Sequence, residues 1–274
     1  FKINEIIQNY ANKNITEFFI NFKNLTKFRE SMLKNIFKYD DKKETTTSHQ
    51  IKVTEAVISI AKDFGLSDFV IEGINETFAD IHRDFNSNSK LKSLFDQLGK
   101  LEGTVLGNHS YLTAIFVAMI GNKIPWFTRE VKKNLFTVSI LHDLDLVDTG
   151  LEKYEFKTVH EINALSNQEK EIIKNHTNSL SKKLSKIDVI PSDVVNIISK
   201  HHEGAGPNSY PQGLNSPQLS PPICLFIIAH QFAIELSNIA FNADKVAQAF
   251  NVVKEQYSSN SYKPFLDILE KELS

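Results

Sequence analysis

The residues best placed for chemistry in this chain are histidines beside apolar side chains. Residues 199–214 read Ser-Lys-His-His-Glu-Gly-Ala-Gly-Pro-Asn-Ser-Tyr-Pro-Gln-Gly-Leu and follow the apolar run Val194-Val195-Asn196-Ile197-Ile198. On a helix, Ile197 and Ile198 stand one turn before His201 and His202, so both imidazoles point into the interior. Buried polar groups need partners, and a metal ion satisfies two adjacent imidazoles at once. The pattern recurs upstream. His109 shares a face with Leu112, Thr113 and Phe116; His142 and Asp143 follow Val138-Ser139-Ile140-Leu141; His176 lies one turn after Ile172 and Ile173. One such residue is more often a hydrogen-bonded core histidine. Four helices that repeat it, with an adjacent aspartate, are better explained by one metal site in a helical bundle. The donors are imidazole and carboxylate without thiolate, a set that suits iron, manganese or zinc, and an aspartate can bridge two ions. A bridged pair of divalent ions supplies hydroxide near neutral pH and stabilises charge on a phosphoryl group. Periodicity does not by itself identify a phosphate ester as substrate.

These side chains require helices to carry them. Apolar spacing predicts helices over residues 91–98, 104–120, 128–141, 167–184, 191–202 and 221–241, with no strand-type alternation in competition. Further upstream, helices fit residues 51–64, capped by Gly65, and 68–85. Asp63-Phe64-Gly65 is then a helix end and not part of a kinase, whose other signatures are missing. Residues 1–40 are rich in aromatics, and their periodicity decides between strand and helix in neither direction. Residues 40–50 are polar and read as a linker or long loop. Residues 84–90 are the best domain boundary. The expectation is a mainly α protein: an N-terminal module over 1–88, regulatory or dimerising and of unknown fold, and an all-α bundle over 89–274.

The 274 residues are 41% hydrophobic and 23% charged, with a formal net charge of -2, an ordinary globular composition. That charge gives no reason to expect nucleic acid or an acidic membrane as partner. The arginines are Arg29, Arg83 and Arg129, so phosphate binding would fall to lysines, backbone amides or metal. Cys224 is the single cysteine, a small core residue that excludes a disulfide framework or thiolate zinc site. No apolar stretch is long enough to span a bilayer and no signal peptide is visible, so the expected location is the cytoplasm.

The order of the clusters resembles the HD-GYP family of the HD phosphohydrolase superfamily. The resemblance rests on His109, His142-Asp143, His176 preceded by Leu165-Ser166-Asn167-Gln168-Glu169, His201-His202-Glu203, and Tyr210-Pro211 with Gln212-Gly213-Leu214. It covers roughly residues 91–241, and the spacing from His-His-Glu to Tyr-Pro is its specific part. It implies an all-α HD-type bundle that hydrolyses cyclic di-GMP with two or three metal ions, iron or manganese. By the same resemblance, His109, His142 and Asp143 hold one ion, and Asp143 bridges to a second held by His176, His201 and His202. A bridging hydroxide would attack phosphorus in line. Glu203 would orient ligands or anchor the loop, against the plainer reading of a solvated carboxylate.

Departures from the family are equally specific. Its His-Asp-Ile-Gly-Lys reads His142-Asp143-Leu144-Asp145-Leu146, so Leu146 replaces a lysine that the family aims at substrate phosphate. Its Asp-Gly-x-Gly-Tyr-Pro reads Gly206-Pro207-Asn208-Ser209-Tyr210-Pro211, which retains Tyr210. Its late Ala-Asp-x-Phe-Asp reads Ala229-His230-Gln231-Phe232-Ala233. His230 thus falls on an aspartate ligand, and on the face of Phe226 and Ile227 it is either a metal ligand or a buried structural histidine. Val105 stands where some members carry a further carboxylate, so two ions are expected, not three.

Other residues receive the plainer reading. His49 and His82 lie outside the pattern and are expected at the surface. His160-Glu161 lacks the second histidine of a zinc-protease helix. Trp126 is core packing or a loop anchor, and Lys182 and Lys183 form a solvated helix face or approach an anionic substrate.

The expectation is therefore a metal-dependent phosphodiesterase for cyclic di-GMP or a related cyclic dinucleotide, with Asp143 and Tyr210 as catalytic residues. Its rival keeps fold and metals but is catalytically degenerate, binding nucleotide or a signalling protein partner. A third reading is an HD phosphohydrolase for another phosphoester. The sequence leaves oligomeric state open.

Overall fold

The computed structural model describes residues 47–79, 104–153, 164–204, 206 and 209–274, with isolated positions 13, 21–24, 27, 28 and 31. Among the described residues all regular structure is helical. The helices are α1 (Thr47–Phe64), α2 (Asp68–Ala79), α3 (Val105–Gly121), α4 (Arg129–Leu141), α5 (Asn167–Leu184), α6 (Ser192–Ile198), α7 (Pro221–Asn238), α8 (Val246–Gln256) and α9 (Lys263–Leu273). This is the all-α bundle the periodicity predicts. The boundary near residue 88, most of residues 1–40, the helix over 91–98 and the end of the helix over 68–85 lie outside the described residues, as do His82, His160 and Glu161.

Local chemistry sets the helix starts. Thr104 and Thr128 cap α3 and α4, their hydroxyls accepting from the amides of Gly107 (3.0 Å) and Val131 (3.4 Å). Ser166 and Glu169 form a capping box at α5, the Glu169 carboxylate accepting from the Ser166 amide at 2.9 Å. Gly65 closes α1 at φ +78°, a conformation only glycine adopts without strain.

The core is built around α3 and α7, which lie against each other with α4 and α1 on α3 and α8 on α7. From Leu106 to Gly121, α3 is buried apart from Asn108, and α7 is buried through most of its length. That is why both read as almost continuously apolar. Among the described residues no helix is long and apolar enough to cross a membrane. α1 and α2 join the same hydrophobic cluster through Val57, Ile60, Val70 and Ile74.

Three boundaries and two further helices differ from the sequence reading. The polar run 40–50 gives way to helix at Thr47, because Gln50 turns inward to accept from the buried Tyr111 hydroxyl. The helix expected over 191–202 ends at Ile198, where Lys200 bonds back only three residues, to Ile197 (3.0 Å). His201 and His202 therefore stand in a turn. α7 stops at Asn238 and not at 241, because Ala240 and Phe241 take positive φ and the Phe241 amide returns to the Leu236 carbonyl (2.9 Å). α8 and α9 were not expected; Phe250, Val253, Phe265 and Leu269 seal the far side of α7 and α3.

Phe232 packs edge-on against Phe116 at the α3–α7 seam, with ring centroids 4.7 Å apart and both side chains fully buried. Phe232→Ala is expected to lower the unfolding free energy by about 3–5 kcal/mol, measured by urea denaturation, with Phe232→Leu losing clearly less.

Candidate metal centre

Five separate elements converge on one buried point. His109 comes from the first turns of α3, His142 from the end of α4 with Asp143 after it, and His176 from the middle of α5. His201 and His202 come from the turn after α6, and His230 from α7. His109 and His142 are fully buried and His201, His230, His176 and Asp143 nearly so, while His202 is half-buried. The candidate donor atoms fall into two groups, each with all its atoms within 4.8 Å of one another. One comprises His109, His142, Asp143 and His230; the other comprises Asp143, His176, His201 and His202. Asp143 belongs to both.

One local device orients three of the rings. His142 Nδ1 lies 3.1 Å from the Ser139 carbonyl, His176 Nδ1 2.5 Å from that of Ile173, and His201 Nδ1 2.7 Å from that of Ile198. In each case the carbonyl belongs to the residue three positions earlier. A carbonyl only accepts, so Nδ1 carries the proton and, in a neutral ring, Nε2 presents its lone pair. Those Nε2 atoms face other donors. His176 and His201 approach at 3.3 Å and His109 and His142 at 3.1 Å. Asp143 Oδ1 is 3.4 Å from His176 Nε2 and 3.6 Å from His201 Nε2, and Oδ2 is 3.1 Å from His142 Nε2. Those separations are short enough for ion pairs, yet neither carboxylate oxygen of Asp143 receives a properly directed hydrogen bond among the described residues, nor does His230 Nε2. Between His176 and His201, two Nε2 lone pairs face each other with no proton between them, which is a ligand arrangement.

Electrostatics point the same way. Burial pushes the His201 imidazole down to about 3, helped by His202 beside it. Burial, then the His142 ring, drives His109 well below its ordinary value; burial, then His176, does so for His202; burial, then His109, does so for His230. Burial alone would raise the Asp143 carboxyl, but the His142 imidazole, with His176 and His201, holds it well below the usual carboxylate range. An ionised carboxylate among imidazoles whose burial disfavours their charged form is a buried anion, and a buried charge needs compensation. The donor set fits divalent metal.

The rim is built by the loop after His202. Glu203 is fully buried, and its two oxygens accept from the amides of Gln212 and Leu214, each at 2.6 Å. It anchors the loop, and a solvated carboxylate is excluded. The Tyr210 amide donates to the His202 carbonyl (3.2 Å), and the Tyr210 ring stacks on His202 with centroids 4.5 Å apart and planes at 16°. Both are half-buried, so the centre opens on this side. Ala205, Pro207 and Asn208 lie outside the described residues.

Several other sequence expectations can be placed. Leu146 is fully buried. Trp126 packs edge-on against Phe265 at 6.3 Å, a core contact. Cys224 is a buried thiol, pushed up to about 11 by burial. Val105 is half exposed and offers no donor. The helix of His49 is described, but its side chain is not. Two supports of the centre escaped sequence reading. Lys183 binds Asp145, and the buried hydroxyl of Tyr262 sits against Gly204, whose φ of +78° and lack of side chain both matter there. Both are contacts between distant segments, which periodicity does not report.

Comparison with known proteins follows from this geometry. No protein-family model and no curated protein matches the sequence. Among solved structures, the chain is similar to Bd1817, an HDG"Y"P protein from Bdellovibrio bacteriovorus. The two share 16% sequence identity and a TM-score of 0.60, over 92% of this chain and 82% of that one. The chain shares the all-α fold of that protein. Within that fold, the two histidine groups and their shared aspartate occupy the interior of the bundle, and the Tyr210 loop lies over its open side.

Glu203→Ala is expected to leave the Gln212 and Leu214 amides without acceptors, at a cost of roughly 1–3 kcal/mol for each. Chemical denaturation reads the loss. Metal titration should show weaker binding at the group containing His201 and His202, with Glu203→Gln intermediate.

Proposed function

We propose that this protein is a metal-dependent phosphohydrolase of the HD-GYP type, acting on cyclic di-GMP or a related cyclic dinucleotide. The observation that carries the reading is the pair of buried donor groups sharing Asp143, with imidazole lone pairs turned toward one point. His109, His142, Asp143 and His230 would hold one ion, and Asp143, His176, His201 and His202 the other. Each half-site then has three nitrogens and one carboxylate oxygen. On this reading His230 is a ligand and not a structural histidine. Such sets suit iron, zinc or manganese, and the family resemblance favours iron or manganese. When bound, two such ions supply a hydroxide at neutral pH and offset charge on a phosphoryl oxygen.

The chain's own residues do the rest. Asp143, common to both half-sites, would neutralise part of the charge of ions held there. The backbone carbonyls of Ser139, Ile173 and Ile198 hold the Nδ1 protons, and so keep the Nε2 lone pairs available. Phe226, whose ring lies 5.5 Å from that of His142, closes the inner side against water. Tyr210, fixed by its stack on His202, presents a phenol at the mouth, where it would orient the phosphate ester. The reading keeps residues 1–88 as a regulatory or dimerising module, although α1 and α2 within it pack into the same core as the helix that carries His109.

One observation favours the rival reading, a degenerate enzyme that binds nucleotide or a protein partner. Leu146 is buried, so no cation reaches the centre from the position where the family has its lysine.

The test is turnover of cyclic di-GMP after anaerobic reconstitution with iron or manganese, with Asp143→Ala as control. Hydrolysis by the parent protein is expected. In the variant, turnover should vanish and metal content should fall more than about tenfold. Full metal loading without turnover would transfer the reading to the binding protein, and unchanged metal in Asp143→Ala would refute the ligand assignment.

A further inference from the structure

The segment that carries Asp143 is a short 3₁₀ turn, held in place from three directions. Leu146 plugs it into the core. Lys62 of α1 pairs with Asp148 at its far end. Between them, Asp145 receives the Lys183 ammonium of α5 on both carboxylate oxygens, at 2.8 and 2.9 Å. The two partners differ in environment, with the Asp145 side chain only 12% exposed and that of Lys183 65%. Asp145 stands two residues after Asp143, and Lys183 stands two helical turns after His176 on a nearby face of α5. The pair therefore joins the two elements whose donors, Asp143 Oδ1 and His176 Nε2, meet at 3.4 Å.

We infer that the Asp145–Lys183 pair is a positioning device for the half-site of Asp143, His176, His201 and His202. It holds α5 against the turn, and so sets the distance between the shared carboxylate and His176. The inference rests on the reading of the centre given above. An ordinary surface ion pair contributes little. Here the carboxylate is largely withdrawn from water, so loss of the ammonium leaves a poorly solvated charge and unties α5 from a turn that Leu146 and the Lys62–Asp148 pair still hold. His109 and His230 sit on α3 and α7, and His142 and Asp143 stay with the end of α4 and the held turn, whereas His176 moves with α5. Removal of the pair should therefore weaken one half-site and spare the other. Lys183 does not reach substrate in this role.

The experiment is anaerobic titration of the full chain with cobalt(II), followed by visible absorption and elemental analysis. The variants are Lys183→Met, Asp145→Asn and the conservative Lys183→Arg, and the thermal midpoint of each metal-free protein is recorded. The parent should take up two ions. Lys183→Met and Asp145→Asn should each bind one ion as the parent does and the second about tenfold more weakly, with little change in the metal-free midpoint. Lys183→Arg should retain both. Two ions bound with parental affinity in Lys183→Met and Asp145→Asn would overturn the inference while leaving the centre intact. Equal weakening of both ions, or a fall in the metal-free midpoint that accounts for the loss, would overturn it as well, because the pair would then be a general support of the fold. A parent protein that takes up no cobalt, with Asp143→Ala indistinguishable from it, would sink the reading of the centre itself.

Discussion

The interior of this protein depends on one carboxylate. Asp143 is almost completely buried, held well below the usual carboxylate range by His142, His176 and His201, and common to two sets of imidazoles. Nothing in an apolar bundle tolerates that group without compensation. Each element that reaches it contributes to the solution. α3, α4, α5, α7 and the turn after α6 arrive with an imidazole apiece, the turn with two, and the apolar seam between α3 and α7 provides the rigid floor. The bundle can be described as hydrophobic packing arranged to bring six nitrogen donors to one aspartate.

The means of orientation are notably local. His142, His176 and His201 each give their Nδ1 proton to the carbonyl three residues earlier. A histidine that follows an apolar segment by one turn thus finds its own tautomer-fixing partner on the same stretch of chain. Distant segments are needed only to bring the Nε2 atoms together. Glu203 works at the next level out, fixing the loop that carries Tyr210 through two main-chain amides. Fold and site are therefore separable: helices make good ligands of individual histidines, and packing makes a centre of them.

That division explains what could be read from the sequence. The α5 limits are those the periodicity gives, because Ser166 and Glu169 write a capping box and Ile173, His176, Thr177, Leu180 and Leu184 share a face. The grouping of His109, His142, Asp143, His176, His201 and His202 was legible through family resemblance, which also set His230 on a ligand position while leaving a structural role open; the structure brings its ring into the first group. Length of helix was harder. The turn at 199–202 still places His201 inside, so apolar spacing there looks like an unbroken helix. α8 and α9 are short and depend on packing against α7 and α3 for their stability, which local pattern does not announce. Asp145–Lys183 and Tyr262–Gly204 link segments far apart in the chain, and no spacing rule brings them together.

The position of Tyr262 has a bearing on how the molecule is assembled. It precedes α9, close to the end of the sequence, yet its ring lies beneath the turn that carries His201 and His202. The donors themselves are drawn from His109 through His230. During synthesis, the early helices can pack as they emerge, but the centre lacks its last donor until α7 is out, and its supporting turn lacks its prop until α9 has docked. Ordering of this interior thus requires α7 and α9 in place, well after the helices that carry His109 and His142 have emerged.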